Sequence, residues 1–204
     1  MNPSFKSLIV FLAIFCLPMN LIGESDPHKF IDSQAQEMVS IIINNQELFD
    51  ENPELFKAKI TTIFEPMVDF RRVGASVMGK KYYLASSKSQ RLEFIQAFKN
   101  SLLDTYASTL AQWGDQKIVT VFPEVSEYKK TEDIQQNLIT ATNIYPITYK
   151  VRKNKSGDWL IINIIVNGVN LGLTFRNQFQ ALAKEHNENI DEIIMHWTSD
   201  ADLN

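Results

Sequence analysis

The chain has 204 residues, of which 45% are hydrophobic and 22% charged, and its formal net charge is −4. Because nucleic-acid phosphates require clustered Lys and Arg, a mildly acidic chain without a basic stripe is not expected to bind nucleic acid. The same balance argues against electrostatic adhesion to anionic lipid headgroups.

An apolar segment follows the N-terminus directly, and Lys6 is the only charged side chain of residues 1–23. Residues 8–17 are too few to span a bilayer, which takes about 20 apolar residues, and are typical of a signal-peptide core. Gly23 then offers a small residue for cleavage. We predict that residues 1–23 are a cleaved signal peptide and that residues 24–204 are a single domain. An uncleaved anchor is the alternative, because the cleavage site lacks a clean small-x-small pattern.

Cys16 is the only cysteine and lies in the segment predicted to be removed. The exported domain would therefore have no disulfide, no thiolate metal site and no cysteine nucleophile. Loss of Lys6 would also move its net charge from −4 to −5.

Helical periodicity marks the first half of the domain. An apolar residue recurs every three or four positions in the opening segment, at Ile31, Ala35, Met38 and Ile42. Further helices are predicted from Pro53, from Asp69 to Met78 with Gly79 ending the helix, and from a Ser87–Gln90 capping box to Trp113.

After Gly114 the apolar period changes to two, which indicates strands. Strands are predicted at 117–122, 137–145, 147–152 and 159–166, with a bend at Pro146 and a turn at Asn167-Gly168. Two helices, near 173–186 and 190–197, close the chain. This order predicts an α+β domain, with a helical N-terminal half packed on an antiparallel, strongly curved sheet of about four strands.

The usual catalytic signatures do not occur in the sequence. His28, His186 and His196 fall in no H-E-x-x-H motif, and there is no G-x-S-x-G or phosphate-binding glycine loop. We therefore predict no catalytic residue, no metal site and no cofactor. Two other classes stay open: an exported adaptor with a filled core, and a cone-shaped α+β isomerase or hydrolase that would use Asp104 as its acid–base carboxylate.

Several ordered blocks within residues 64–197 resemble the MlaC family, also called the toluene-tolerance Ttg2 family. The blocks are Val68-Asp69-Phe70 with Val73 and Gly79, Ser89-Gln90-Arg91 with Phe94, Ala97-Phe98, Leu102-Leu103, Thr105-Tyr106-Ala107 with Leu110, Ile147 to Arg152, Gly157-Asp158-Trp159, Asn167 to Leu171, and Phe175 to Phe179. The chain departs from the family pattern at Tyr82, Asn163, Asn170 and Phe175. A neutral Asn163 would weaken any pairing with Arg176, because it lacks the charge of the usual Asp.

The resemblance implies a periplasmic phospholipid carrier that is not an enzyme. Such a carrier is soluble after signal-peptide cleavage, is expected to be a monomer, and maintains outer-membrane lipid asymmetry. Its partners would be an outer-membrane lipoprotein–porin complex and an inner-membrane ABC transporter complex with a substrate-binding ring.

The resemblance also implies an apolar cleft between the sheet and the helices. Periodicity alone cannot distinguish such a cleft from a filled core. The residues predicted to hold the acyl chains are Phe70, Val73, Leu102, Tyr106, Ile139, Tyr149, Ile161, Val166, Leu171 and Phe175.

Overall fold

The computed structural model describes residues 26–124 and 127–199. The predicted signal peptide, residues 1–23, lies outside the described residues. Within the described ranges, no helix combines the length and the apolar character needed to cross a membrane.

The described part of the N-terminal half forms five helices. They are α1 (Pro27–Asn44), α2 (Gln46–Glu51), α3 (Pro53–Met67), α4 (Phe70–Ala85) and α5 (Lys88–Ala111). Four of them were predicted; the short α2 was not. Local capping explains where several begin. The Asn52 side chain accepts a hydrogen bond from the backbone N–H of Leu55 at the start of α3. Ser87 and Gln90 form the reciprocal capping box at the start of α5.

Gly79 was predicted to end a helix, but it produces a kink instead. Its backbone lies at φ 71° and ψ 165°, outside helical geometry, and the helix resumes after it to Ala85. This conformation is almost confined to glycine, because any Cβ would clash with the backbone.

Five antiparallel strands form one meander in the order β1-β2-β3-β4-β5. They are β1 (Lys117–Thr120), β2 (Thr131–Ile139), β3 (Ile144–Lys153), β4 (Trp159–Val166) and β5 (Val169–Asn170). The predicted strand at 137–145 was wrong, because residues 140–143 turn the chain between β2 and β3. The Thr140 N–H donates to the Asn143 carbonyl and closes this turn. The fifth strand is a two-residue addition to the four main ones.

Two helices follow the sheet, α6 (Leu171–Glu185) and α7 (Ile190–Met195). α6 packs against α4, and α7 packs against α5 and α6. The helices and the sheet are joined directly at the end of α3, where the Asp69 N–H donates to the Ile161 carbonyl at 2.9 Å. The α+β class is therefore confirmed.

Three clusters of buried apolar residues make up the core of the described chain. One is aromatic and joins α4, α5, α6 and α7 through residues such as Phe94, Phe179 and Trp197. The second lies between α1, α3 and the sheet around Trp159, and the third lies among α1, α3 and α5 around Phe56.

Candidate functional site

An apolar cavity of about 380 Å³ lies where these three clusters meet, between the helices and the sheet. Every helix except α2 and α7 contributes to its wall, and so do the four longer strands. None of the described residues around it carries a charge. The polar side chains are Gln34, Tyr106, Trp113, Tyr149 and Asn163.

Helix α5 forms one wall through residues that share a face. Phe98, Leu102, Tyr106 and Leu110 follow one another at four-residue spacing and all line the cavity. Phe98 is also packed in the aromatic cluster, 5.4 Å from the ring centroid of Phe175. The helix therefore has its first half in the packed core and its second half beside the cavity.

Helix α1 forms the opposite part of the helical wall and is fastened to the sheet by polar contacts. Thr120 Oγ1 donates to Asp32 Oδ1 at 2.7 Å and accepts from Gln136 Nε2 at 2.8 Å. Gln36 Nε2 donates to the Ile118 carbonyl at 3.1 Å. These bonds join the edge of the sheet to a helix that would otherwise be separated from it by the cavity.

A β-bulge shapes the sheet wall. The register shifts between Lys150 and Val151, whose partners on β4 are Asn163 and Ile161. Ile162 is the extra residue between these two partners on β4. Side chains of a regular strand alternate between its two faces, and the bulge interrupts this alternation, so that Ile161 and Ile164 both line the cavity. Tyr149, the partner of Ile164, lies beside it in the same wall.

Tyr149 places a hydroxyl group in this apolar wall. Burial raises the pKa of Tyr149 above the ordinary tyrosine value, because the surroundings disfavour the charged phenolate. No hydrogen bond from another described residue reaches this hydroxyl. The group therefore stays neutral at physiological pH and adds polarity without charge.

The start of α6 is tied to β4 by the amide of Asn163. Its Oδ1 accepts from the Gly172 N–H at 3.0 Å, and its Nδ2 donates to Asn170 Oδ1 at 3.0 Å. A Cβ on residue 172 would lie 2.5 Å from Asn163 Oδ1, so this approach requires glycine. Arg176 lies elsewhere, against Gly79, and does not pair with Asn163.

Eight of the ten residues predicted to hold acyl chains lie around the cavity. They are Phe70, Val73, Leu102, Tyr106, Tyr149, Ile161, Leu171 and Phe175. Ile139 does not, because it follows Leu138, which faces the cavity, and adjacent strand residues face opposite sides. Val166 pairs with Ile147 at the last position of β4 and lies outside the wall. Contact of the eight with lipid stays a prediction.

Asp104 does not suit the acid–base role considered for an isomerase. Its side chain is 60% exposed, lies outside the cavity wall and pairs with Lys57 at 2.5 Å. The described residues include one group of possible metal ligands, His186, Glu192 and His196, whose ligand atoms lie within 4.8 Å of one another. This group is on α7 and at the end of α6, and none of its members lines the cavity.

Comparison with known proteins assigns the chain to a family. The MlaC protein family model matches residues 32–199. The chain belongs to the MlaC family. The toluene tolerance protein Ttg2D of Pseudomonas putida is 29% identical over 197 residues, which cover 96% of this chain and 89% of that protein. The intermembrane phospholipid transport system binding protein MlaC of Haemophilus influenzae is 29% identical over 175 residues, covering 82% and 79%.

A solved structure shares the fold of this MlaC-family chain. It is the phospholipid-binding protein of Ralstonia solanacearum in complex with a phospholipid. The two structures align with a TM-score of 0.75 at 19% sequence identity, over 83% of this chain and 93% of that one.

Most of the α1 side of the cavity in this MlaC-family protein was not predicted from the sequence. The apolar stripe of α1 was recognised, and all four of its members line the cavity. The stripe was not assigned to the site because an amphipathic face shows which side of a helix is buried, and not what it is buried against. Trp113, Ile118 and Leu138 were missed for the same reason.

Proposed function

We propose that this protein is a phospholipid carrier that holds acyl chains in the cavity between the helices and the sheet. The observation that carries the proposal is the cavity itself, about 380 Å³, whose wall contains no charged side chain from the part of the chain that the structure describes. Its volume lies within the ~300–1,000 Å³ range of small-molecule sites. The names of the relatives and the bound phospholipid of the Ralstonia protein support the same ligand class.

The free energy of hiding acyl chains from water explains why a carrier needs such a wall. Burial of each methylene contributes about 0.8 kcal/mol, so two chains of ~16 carbons would gain on the order of 25 kcal/mol in gross transfer free energy. A charged side chain in the wall would oppose this gain, since burying an unpaired charge is costly. The tails occupy the cavity and the headgroup stays at its mouth in water.

This binding mode needs no covalent step. The protein excludes water from the tails, and transfer follows when the cavity opens against a partner. Selectivity among headgroups is weak, because the apolar wall contacts tails rather than polar atoms.

The carrier works in the periplasm after removal of residues 1–23. It moves phospholipid, as a monomer, between an outer-membrane lipoprotein–porin complex and an inner-membrane ABC transporter complex with a substrate-binding ring. A free diffuser suits this role, since a carrier fixed to one membrane cannot reach the other.

The test is the lipid content of the protein purified from the periplasm of its native host. Native mass spectrometry and organic extraction should detect stoichiometric phospholipid. Extracts without lipid would contradict the carrier function. Empty extracts together with retained binding to the membrane complexes would indicate an adaptor instead.

A further inference from the structure

A second pocket, of about 250 Å³, lies between α4 and α6 and is lined by basic side chains. Lys80 and Lys81 come from the kink of α4, and Arg176 and Lys184 come from α6, eight residues apart on one helix face. Within the described ranges, no acidic residue lines the pocket. This local charge contrasts with the net charge of −5 for residues 24–204.

Three of the four cations have no partner within the described chain. Lys81 Nζ pairs with Glu188 Oε1 and lies over the ring of Tyr82. The described residues offer no hydrogen bond or ion pair to Lys80, Arg176 or Lys184. The basic pocket therefore keeps most of its positive charge uncompensated.

The backbone of Gly79 brings the Arg176 guanidinium into the pocket. A Cβ on residue 79 would lie 3.2 Å from Arg176 Nη2 and 3.3 Å from its Nε, so the guanidinium would have to shift to accommodate one. The positive φ of Gly79 is a second reason for glycine at this position, because residues with a Cβ rarely adopt this backbone conformation. The Arg176 guanidinium therefore lies against the α4 kink, and no described residue accepts a hydrogen bond from it.

Like charges brought together repel one another, and an anion in the pocket would remove this repulsion. A phosphate group fits better than a carboxylate, because it brings up to two charges and three acceptor oxygens to the three cations without a described partner. Arg176 supplies the forked donors that bind phosphate in two parallel hydrogen bonds. We propose that this pocket binds a phosphate group.

The site is separate from the apolar cavity but shares its helices. Val73 of α4 and Leu171 and Phe175 of α6 line the cavity, whereas Arg176, next along α6, lines the basic pocket. The phosphate comes from a lipid headgroup at a membrane surface or from a free phosphate in solution, and the two sources can be distinguished experimentally.

The first experiment titrates inorganic phosphate into the full chain and follows the amide signal of Gly79 and the Nε–H signal of Arg176 by NMR. Saturable shifts are expected, and Arg176→Gln should weaken phosphate binding about tenfold or more, since a charge-assisted hydrogen bond is lost. Lys184→Gln should weaken it in the same direction. Lys155→Gln, which removes one charge from the exposed β3–β4 turn, is the matched control and should leave the affinity unchanged.

The second experiment measures co-sedimentation with vesicles of neutral phosphatidylcholine or of the same lipid with phosphatidic acid, which exposes a phosphate monoester. Binding to phosphatidic acid vesicles that Arg176→Gln abolishes would assign the site to a membrane surface. Phosphate binding without this preference would assign it to a soluble phosphate.

The proposal is overturned if phosphate produces no saturable shift, if Arg176→Gln and Lys155→Gln behave alike, or if an oligo-glutamate peptide binds where phosphate does not. Thermal unfolding of each variant checks that it is folded. The phospholipid content of the cavity is measured on the same preparations, so failure of the phosphate site and failure of the carrier function are distinguishable.

Discussion

Leu171 and Leu173 lie in the first turn of α6, yet they meet different surroundings. Leu171 lines the apolar cavity, and Leu173 is 55% exposed. A glutamate at either position would lie near the positive end of the helix dipole, so the two substitutions share their local helical effect. They differ in whether the new carboxylate enters the cavity.

We expect Leu171→Glu to reduce bound phospholipid several-fold, because a buried carboxylate disfavours acyl chains beside it. Leu173→Glu is the matched control and should retain wild-type lipid content. Lipid is counted by mass spectrometry after purification, and circular dichroism checks the fold of both variants. Equal lipid content in the two variants would contradict the placement of the ligand.

Tyr149 gives a prediction for the pH dependence of stability. Burial raises the pKa of its hydroxyl, so the folded chain keeps the proton while the unfolded chain loses it near pH 10. The free energy of unfolding should therefore fall above about pH 10, by up to ~1.4 kcal/mol per pH unit for this group. Tyr149→Phe removes this loss.

Urea unfolding of wild type and Tyr149→Phe between pH 8 and 11.5 checks this prediction. The two stabilities should run parallel below about pH 9 and separate above about pH 10, with the variant the more stable. Parallel curves over the whole range would show that the phenol is in contact with water in the folded protein.

Some boundaries of helices and strands can be predicted from residues that are neighbours in the sequence, and others cannot. The α5 capping box was predicted correctly because its two hydrogen bonds join Ser87 and Gln90, which lie three positions apart in the sequence. The β2–β3 turn was missed because residues 140–143 contain neither Gly nor Pro, and it is closed by the Thr140 side chain and backbone. Pro146 was interpreted as a bend, although β3 continues through it.

The two pockets show what the sequence alone could not provide. Most of the α5 and α6 side of the cavity was predictable, because the family blocks contain those residues. The basic pocket was not, since Lys80-Lys81 and Arg176 are about a hundred positions apart and only the packing of α4 on α6 brings them together.

The kink of α4 requires a backbone conformation that few residues other than glycine adopt. At Gly79 an added methyl group would meet both an unfavourable backbone conformation and the Arg176 guanidinium. Gly79→Ala should therefore lower the free energy of unfolding by about 1–3 kcal/mol.

Gly114→Ala provides the control for this substitution. Its nearest neighbour would be Gln116 Oε1 at 3.6 Å, an ordinary contact, so the change in stability should stay within about 0.5 kcal/mol. Denaturant unfolding compares the two variants. A Gly79→Ala protein as stable as wild type would mean that α4 can straighten at no cost.

At the scale of the whole molecule, the cavity is too large to be left empty without consequence. Cavities in protein cores cost about 24 cal/mol per Å³, so 380 Å³ corresponds to roughly 9 kcal/mol. This is comparable to the entire stability of a typical domain, about 5–15 kcal/mol. The emptied protein must therefore lose stability, close the space by moving its walls, or admit water against the apolar wall.

Removal of bound lipid should affect the elements around the cavity and spare α7, which does not line it. Delipidated protein is expected to unfold at a lower temperature and to recover on addition of phospholipid, because a ligand that binds only the folded state stabilises it. Amide exchange should accelerate most in α1, whose inner face has the cavity as its neighbour. α7 is the internal reference, since Ile193 is buried in the aromatic cluster and does not line the cavity. Equal protection of α1 with and without lipid would indicate that the cavity wall is rigid and that the packing of the three clusters alone maintains it.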